Sequence, residues 1–200
     1  MLSENITEAL GQVKRLREII VGRRFFKGYS GVARIAVGTV ALVAAAVMAS
    51  PLVSRDLDSH LIGWAVVFTI GIAINYGALA WWFLFSKEAN RDINNLVPAI
   101  EMMPAIVVGG ILSLAFVLNG YFNMLFGMWM CCFGLAHTSY RISLPKSIYI
   151  VGMFYIFCGA ALLLKPGVTF LNPWPMGVVF FLGELAGGYV LIRARQEVTS

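Results

Sequence analysis

Six long apolar runs separated by short polar breaks constrain this chain more than any other feature. They lie near Val32 to Ser50, His60 to Phe85, Val97 to Leu118, Phe122 to Tyr140, Ile148 to Leu164 and Trp174 to Ile192. A helix needs about 20 mostly apolar residues to cross a bilayer, and each run is of that order. Of the 200 residues, 60% are hydrophobic and 12% charged, where a soluble domain carries roughly a quarter charged. A core of this size cannot hide that much apolar surface, so the solvent that fits is lipid. The expected fold is all-α: a polytopic membrane protein of six transmembrane helices.

The runs group into three hairpins, of which Ile148 to Arg193 is the clearest. Each copy opens on a Val-Gly pair about a third of the way along its first helix, at Val37-Gly38, Val108-Gly109 and Val151-Gly152. A turn follows around Pro51, around Gly120 to Phe122 and around Pro166. Each second helix then carries glycines about two turns apart, at Gly63 and Gly71, Gly127 and Gly134, and Gly177 and Gly183. Self-similarity at a fixed spacing is the mark of an internal repeat.

The formal charge of +5 would suggest nucleic acid on a soluble surface, but its placement reads as topology. With the N-terminus in the cytoplasm, seven cations from Lys14 to Arg34 fall on that side, as do Lys87, Arg91, Arg141, Lys146, Arg193 and Arg195. Only Arg55 and Lys165 fall outside. This positive-inside bias places both termini in the cytoplasm of a multi-pass inner (plasma) membrane protein, with a secondary attraction to anionic lipid. Residues 1–28 are expected as a cytoplasmic amphipathic basic helix, 29–193 as the six-helix bundle and 194–200 as a short cytoplasmic tail. Glu4, Glu8 and Glu18 among many cations rule against a cleavable signal peptide, so the first span serves as its own insertion signal. Cys131, Cys132 and Cys158 all fall inside expected spans, where packing rather than disulfide formation is their role.

Between Ser3 and Phe26, Ile6, Leu10, Val13, Leu16 and Ile20 recur at helical spacing with Lys14, Arg15 and Arg17 between them. Such a helix lies in the headgroup layer. Lys14, Arg15, Arg17, Arg23, Arg24 and Lys27 are the expected lipid or partner contacts, either as a topological anchor or as a docking helix. The polar Ser86 to Asn95 connection is the second candidate contact.

A few polar residues stand inside the apolar runs. Arg34 is one turn into the first, where its long stem reaches back to the headgroups. Asn75 needs a hydrogen-bond partner and so should face the bundle. Pro104 should kink the third run, and Glu101 just before it suits an interfacial ion pair. In the fourth run, Met128, Met130, Cys132 and His137 would suit a soft metal, yet Met and Cys are ordinary fillers of apolar cores. No metal is expected there, and His137 is read as hydrogen-bonded to Tyr140 or a backbone group. In the fifth run only Tyr155, Cys158 and Gly159 stand out.

Glu184 is the most informative residue. It lies ten residues from Trp174 and nine from Arg193, near the bilayer midplane, where a charge costs roughly 2.5 to 3.5 kcal/mol. It must therefore be protonated, paired or wet, and face the bundle interior. Gly183, Gly187 and Gly188 around it let another helix approach closely. Two readings stay open: a hydrogen bond to Asn75 or a tyrosine that holds helices in register, or a proton or ion site.

With two histidines, no zinc-protease motif, no strained serine elbow and no phosphate loop, the chain is read as a non-enzyme without catalytic residues or cofactors. Its expected partners are the bilayer and either a second copy or a larger membrane complex; nucleic acid is excluded. The Val-Gly pairs, the Pro51 and Pro166 turns and the later glycines, from about Arg24 to Arg195, resemble the HdeD-type family of bacterial acid-resistance membrane proteins. The resemblance implies a six-span inner-membrane protein linked to stress tolerance. On this reading the chain is a membrane-stress or accessory protein, the alternative being a small proton-coupled carrier or channel that uses Glu184.

Overall fold

The helix from Gly31 begins where Ser30 leaves extended backbone and its hydroxyl accepts from the Ala33 N–H at 3.2 Å, a standard use of serine at a helix start. In this computed structural model, residues 11–12, 28–89, 91, 96–139 and 144–199 are described. Most of the expected N-terminal amphipathic helix, with Lys14, Arg15, Arg17, Arg23, Arg24 and Lys27, lies outside them, as does Tyr140.

From Gly31 on, the described residues form these α-helices in chain order: α1 (Gly31–Ala49), α2 (Leu57–Phe85), α3 (Val97–Glu101), α4 (Met103–Leu118), α5 (Leu125–Ser139), α6 (Lys146–Leu164) and α7 (Trp174–Thr199). The third run is split at Met102, and Pro104 sits in the first turn of α4, where its missing N–H has no intrahelical partner to lose. Among the described residues, five stretches are long and apolar enough to cross a membrane: α1, α2, α3 with α4, α6 and α7. The fourth run yields only the 15-residue α5, preceded by the 3-10 turn Phe122–Met124.

Apolar side chains on the outside agree with a multi-pass membrane protein. Ile62, Ile111, Leu114 and Leu118 are 62–75% exposed along α2 and α4, a surface that water would penalise and acyl chains would not.

Packing follows glycine, but not within the expected hairpins. The two closest helix pairs are α1 with α7 and α5 with α6, both antiparallel. A Cβ on Gly134 would lie 2.6 Å from the Gly152 carbonyl oxygen, and one on Gly159 2.6 Å from that of Gly127. On the other seam, a Cβ on Gly188 would lie 2.5 Å from the Gly31 oxygen. Hydrogen alone at these positions lets the backbones touch, which is how helices associate where the hydrophobic effect offers no drive. The pairs α1–α2, α4–α5 and α6–α7 pack more lightly. The glycines of the three Val-Gly pairs all reach a neighbouring helix, but differently: Gly38 meets α7, whereas Gly109 and Gly152 both meet α5.

Two apolar clusters lie at opposite ends of the bundle. One gathers Met48, Trp64, Phe126, Phe170 and Met176; Asn123 Oδ1 accepts from the Phe170 N–H at 2.9 Å and ties the loop before α7 to the start of α5. The other gathers Leu79, Leu144, Ile148 and Leu191.

Near the first cluster, Asp56 starts α2 by accepting from the Ser59 N–H at 2.8 Å and the Ser59 hydroxyl at 2.9 Å. The bond from the Ser59 N–H, above all, holds its carboxyl below the ordinary value of 3.8. A carboxyl lowered in the folded state adds stability that is complete above the unfolded value and fades as pH falls through the folded one. Amide exchange at Ser59 and His60 should therefore accelerate only below about pH 3.8, whereas Asp56→Ala should give the fast rate at neutral pH. Exchange measured across that window checks both.

Candidate functional site

A notch in α7 organises the interior. Glycines at 183, 187 and 188 leave open space beside the Glu184 side chain. A Cβ on Gly187 would sit 2.8 Å from Cζ of Arg34, and one on Gly183 would overlap the Tyr155 ring. The glycines thus provide the space that two partners of Glu184 fill.

Arg34 reaches into this notch from α1. Its Nη2 donates to Glu184 Oε1 at 2.7 Å and its Nε to Oε2 at 2.9 Å. Two parallel bonds from a planar guanidinium to a carboxylate are the strongest side-chain pairing available. Both residues are buried, Arg34 at 7% and Glu184 at 2% exposure. Tyr155 Oη, from α6, donates to Glu184 Oε1 at 3.1 Å, with the Phe180 carbonyl oxygen 3.3 Å away.

His137, from α5, completes the group. Its Nδ1 lies 2.7 Å from the Phe133 carbonyl oxygen; a carbonyl only accepts, so the proton is on Nδ1. That tautomer leaves Nε2 as an acceptor, and Arg34 Nη2 donates to it. One guanidinium therefore serves a carboxylate on α7 and an imidazole on α5. Rings of Phe133 and Phe180 close around Tyr155 at centroid distances of 5.1 Å each. The network joins the two close-packed seams, Arg34 and Glu184 from one, His137 and Tyr155 from the other.

Arg34 corrects the expectation drawn from its position. One turn from a helix end, a lone cation would extend to the headgroups, but here Arg34 is buried and pairs with a carboxylate on the adjacent helix. The Glu184 Cβ lies against Gly38, the eighth residue of the 19-residue α1.

The remaining candidates stand apart. Asn75 donates to the Gly71 carbonyl oxygen of its own helix at 3.2 Å, not to Glu184. Glu101, at the end of α3, is exposed and has no ion pair among the described residues. Met128 and Met130 are core residues, with Cys132 Sγ 3.8 Å from Met128 Sδ. Among the described residues no three His, Cys, Asp or Glu side chains gather as a metal would require.

Arg34 is the site member that residue-by-residue reading misses, while the tyrosine expected beside Glu184 is Tyr155. The available signal was two opposite charges, Arg34 and Glu184, each set inside an apolar run. A charge buried in one helix asks for its complement in another.

Comparison with protein-family models, curated proteins and solved structures finds no match.

Proposed function

We propose that this chain is a non-enzymatic, six-span protein of the inner membrane, an accessory or membrane-stress protein of the kind its HdeD-type layout implies. In this reading α5 with its preceding turn is the sixth span, and both termini face the cytoplasm. The observation that supports it is the closure of the Arg34–Glu184–Tyr155–His137 network. Both carboxylate oxygens are engaged and all four side chains come from different helices, an arrangement suited to fixing helices in place rather than presenting a group to a substrate.

A second reading, a small proton-coupled carrier, draws on the same contact: groups with exchangeable protons follow one another from Tyr155 through Glu184 and Arg34 to His137. Reconstitution separates the two. Liposomes holding the protein and an imposed pH gradient should lose the gradient no faster than empty ones, and Glu184→Gln should change nothing. Protein-dependent dissipation that disappears in Glu184→Gln would replace the holding role with the carrier.

A further inference from the structure

We infer that the bundle holds one anionic phospholipid at the end where α1 begins and α7 finishes. A cleft of about 380 Å³ opens there, between Gly28 and Ser30 at the head of α1, Trp81, Trp82 and Phe85 on the last turns of α2, and Arg195 on α7. That volume lies within the range of small-ligand sites, enough for a headgroup and glycerol while the acyl chains remain outside.

The lining is two-sided in the way a phospholipid is. Arg195, Ser30 and Ser86 make a polar end, and a guanidinium matches the oxygens of a phosphate. The start of α1 contributes the positive end of its dipole to the same rim. The other wall is aromatic. Trp81 and Phe85 pack at a centroid distance of 4.4 Å and remain 68% and 66% exposed, so this wall continues onto the outer apolar face of α2, where acyl chains would run. Indoles settle at headgroup depth, the level this geometry gives the phosphate. A soluble anion would use the polar end alone; a lipid uses both.

The inference rests on the bilayer reading, and its test keeps the two apart. The full chain is placed in phosphatidylcholine vesicles doped with phosphatidylglycerol, extracted with alkaline carbonate to establish insertion, and its co-purifying lipid quantified by native mass spectrometry. The intact protein should retain one phosphatidylglycerol in preference to phosphatidylcholine. Arg195→Gln should lower that preference about five-fold, the scale of one basic residue at an anionic surface. Trp81→Ala should lower retention of both lipids. Arg193→Gln should change little, because Arg193 does not line the cleft. Excess inorganic phosphate should not displace the lipid. The site is overturned if an inserted protein shows no preference, if Arg193→Gln and Arg195→Gln act equally, or if inorganic phosphate displaces the lipid. A chain released by carbonate overturns the bilayer reading instead.

Discussion

Glu184→Leu should cost about 3–5 kcal/mol of stability, the usual result of removing one partner of a buried ion pair. The loss comes less from the missing attraction than from what is left behind: Arg34 buried at 7% exposure with no carboxylate, and Tyr155 without its charged acceptor. Adding Arg34→Met to that variant should restore part of the loss. Two apolar side chains of similar volume can replace a buried pair at little cost. The remaining defect is His137 Nε2, which loses the donor it had in Arg34; an unsatisfied buried acceptor costs about 1–3 kcal/mol. The double variant should therefore fall between the parent and Glu184→Leu. Reversible unfolding in detergent measures the series, and a double variant less stable than Glu184→Leu would show that the pair is not what holds these helices.

Gly134→Leu should be the most damaging single change on the α5–α6 seam. Its Cβ would meet the Gly152 carbonyl oxygen at 2.6 Å and Ile156 Cγ1 at 2.6 Å; the first is backbone and cannot rotate away. Overpacking costs about 1–3 kcal/mol where side chains can adjust, so the upper end of that range or beyond is expected. Gly110→Leu supplies the contrast, since nothing lies within 4 Å of its Cβ position on α4, and its unfolding midpoint should stay with the parent's. Equal effects at both positions would mean that the leucine, rather than the seam, is at fault.

Helix content and apolar character could be read from the residues, because both follow from composition and run length. The pairing of helices could not. The Val-Gly and turn spacings suggested that each helix packs on its partner within a hairpin, and the tightest seams instead join α1 to α7 and α5 to α6, across the hairpin boundaries. Hydropathy records how far along a helix a residue sits, not the direction it faces or which helix it meets. Glu184 was therefore recognised as buried while its main partner was assigned to the membrane surface. Asn75 shows the complementary case: its need for a partner was correct, but the nearest acceptor was a carbonyl of its own helix.

The α1–α7 seam has a consequence for assembly. Arg34 and Glu184 are 150 residues apart, so α1 enters the membrane long before the carboxylate that neutralises its cation has been translated. Until α7 arrives, Arg34 must keep its charge at a headgroup or in water, and early intermediates are denied their final arrangement. Insertion of α7 is thus the event that draws the arginine inward and closes the bundle, a checkpoint written into its electrostatics.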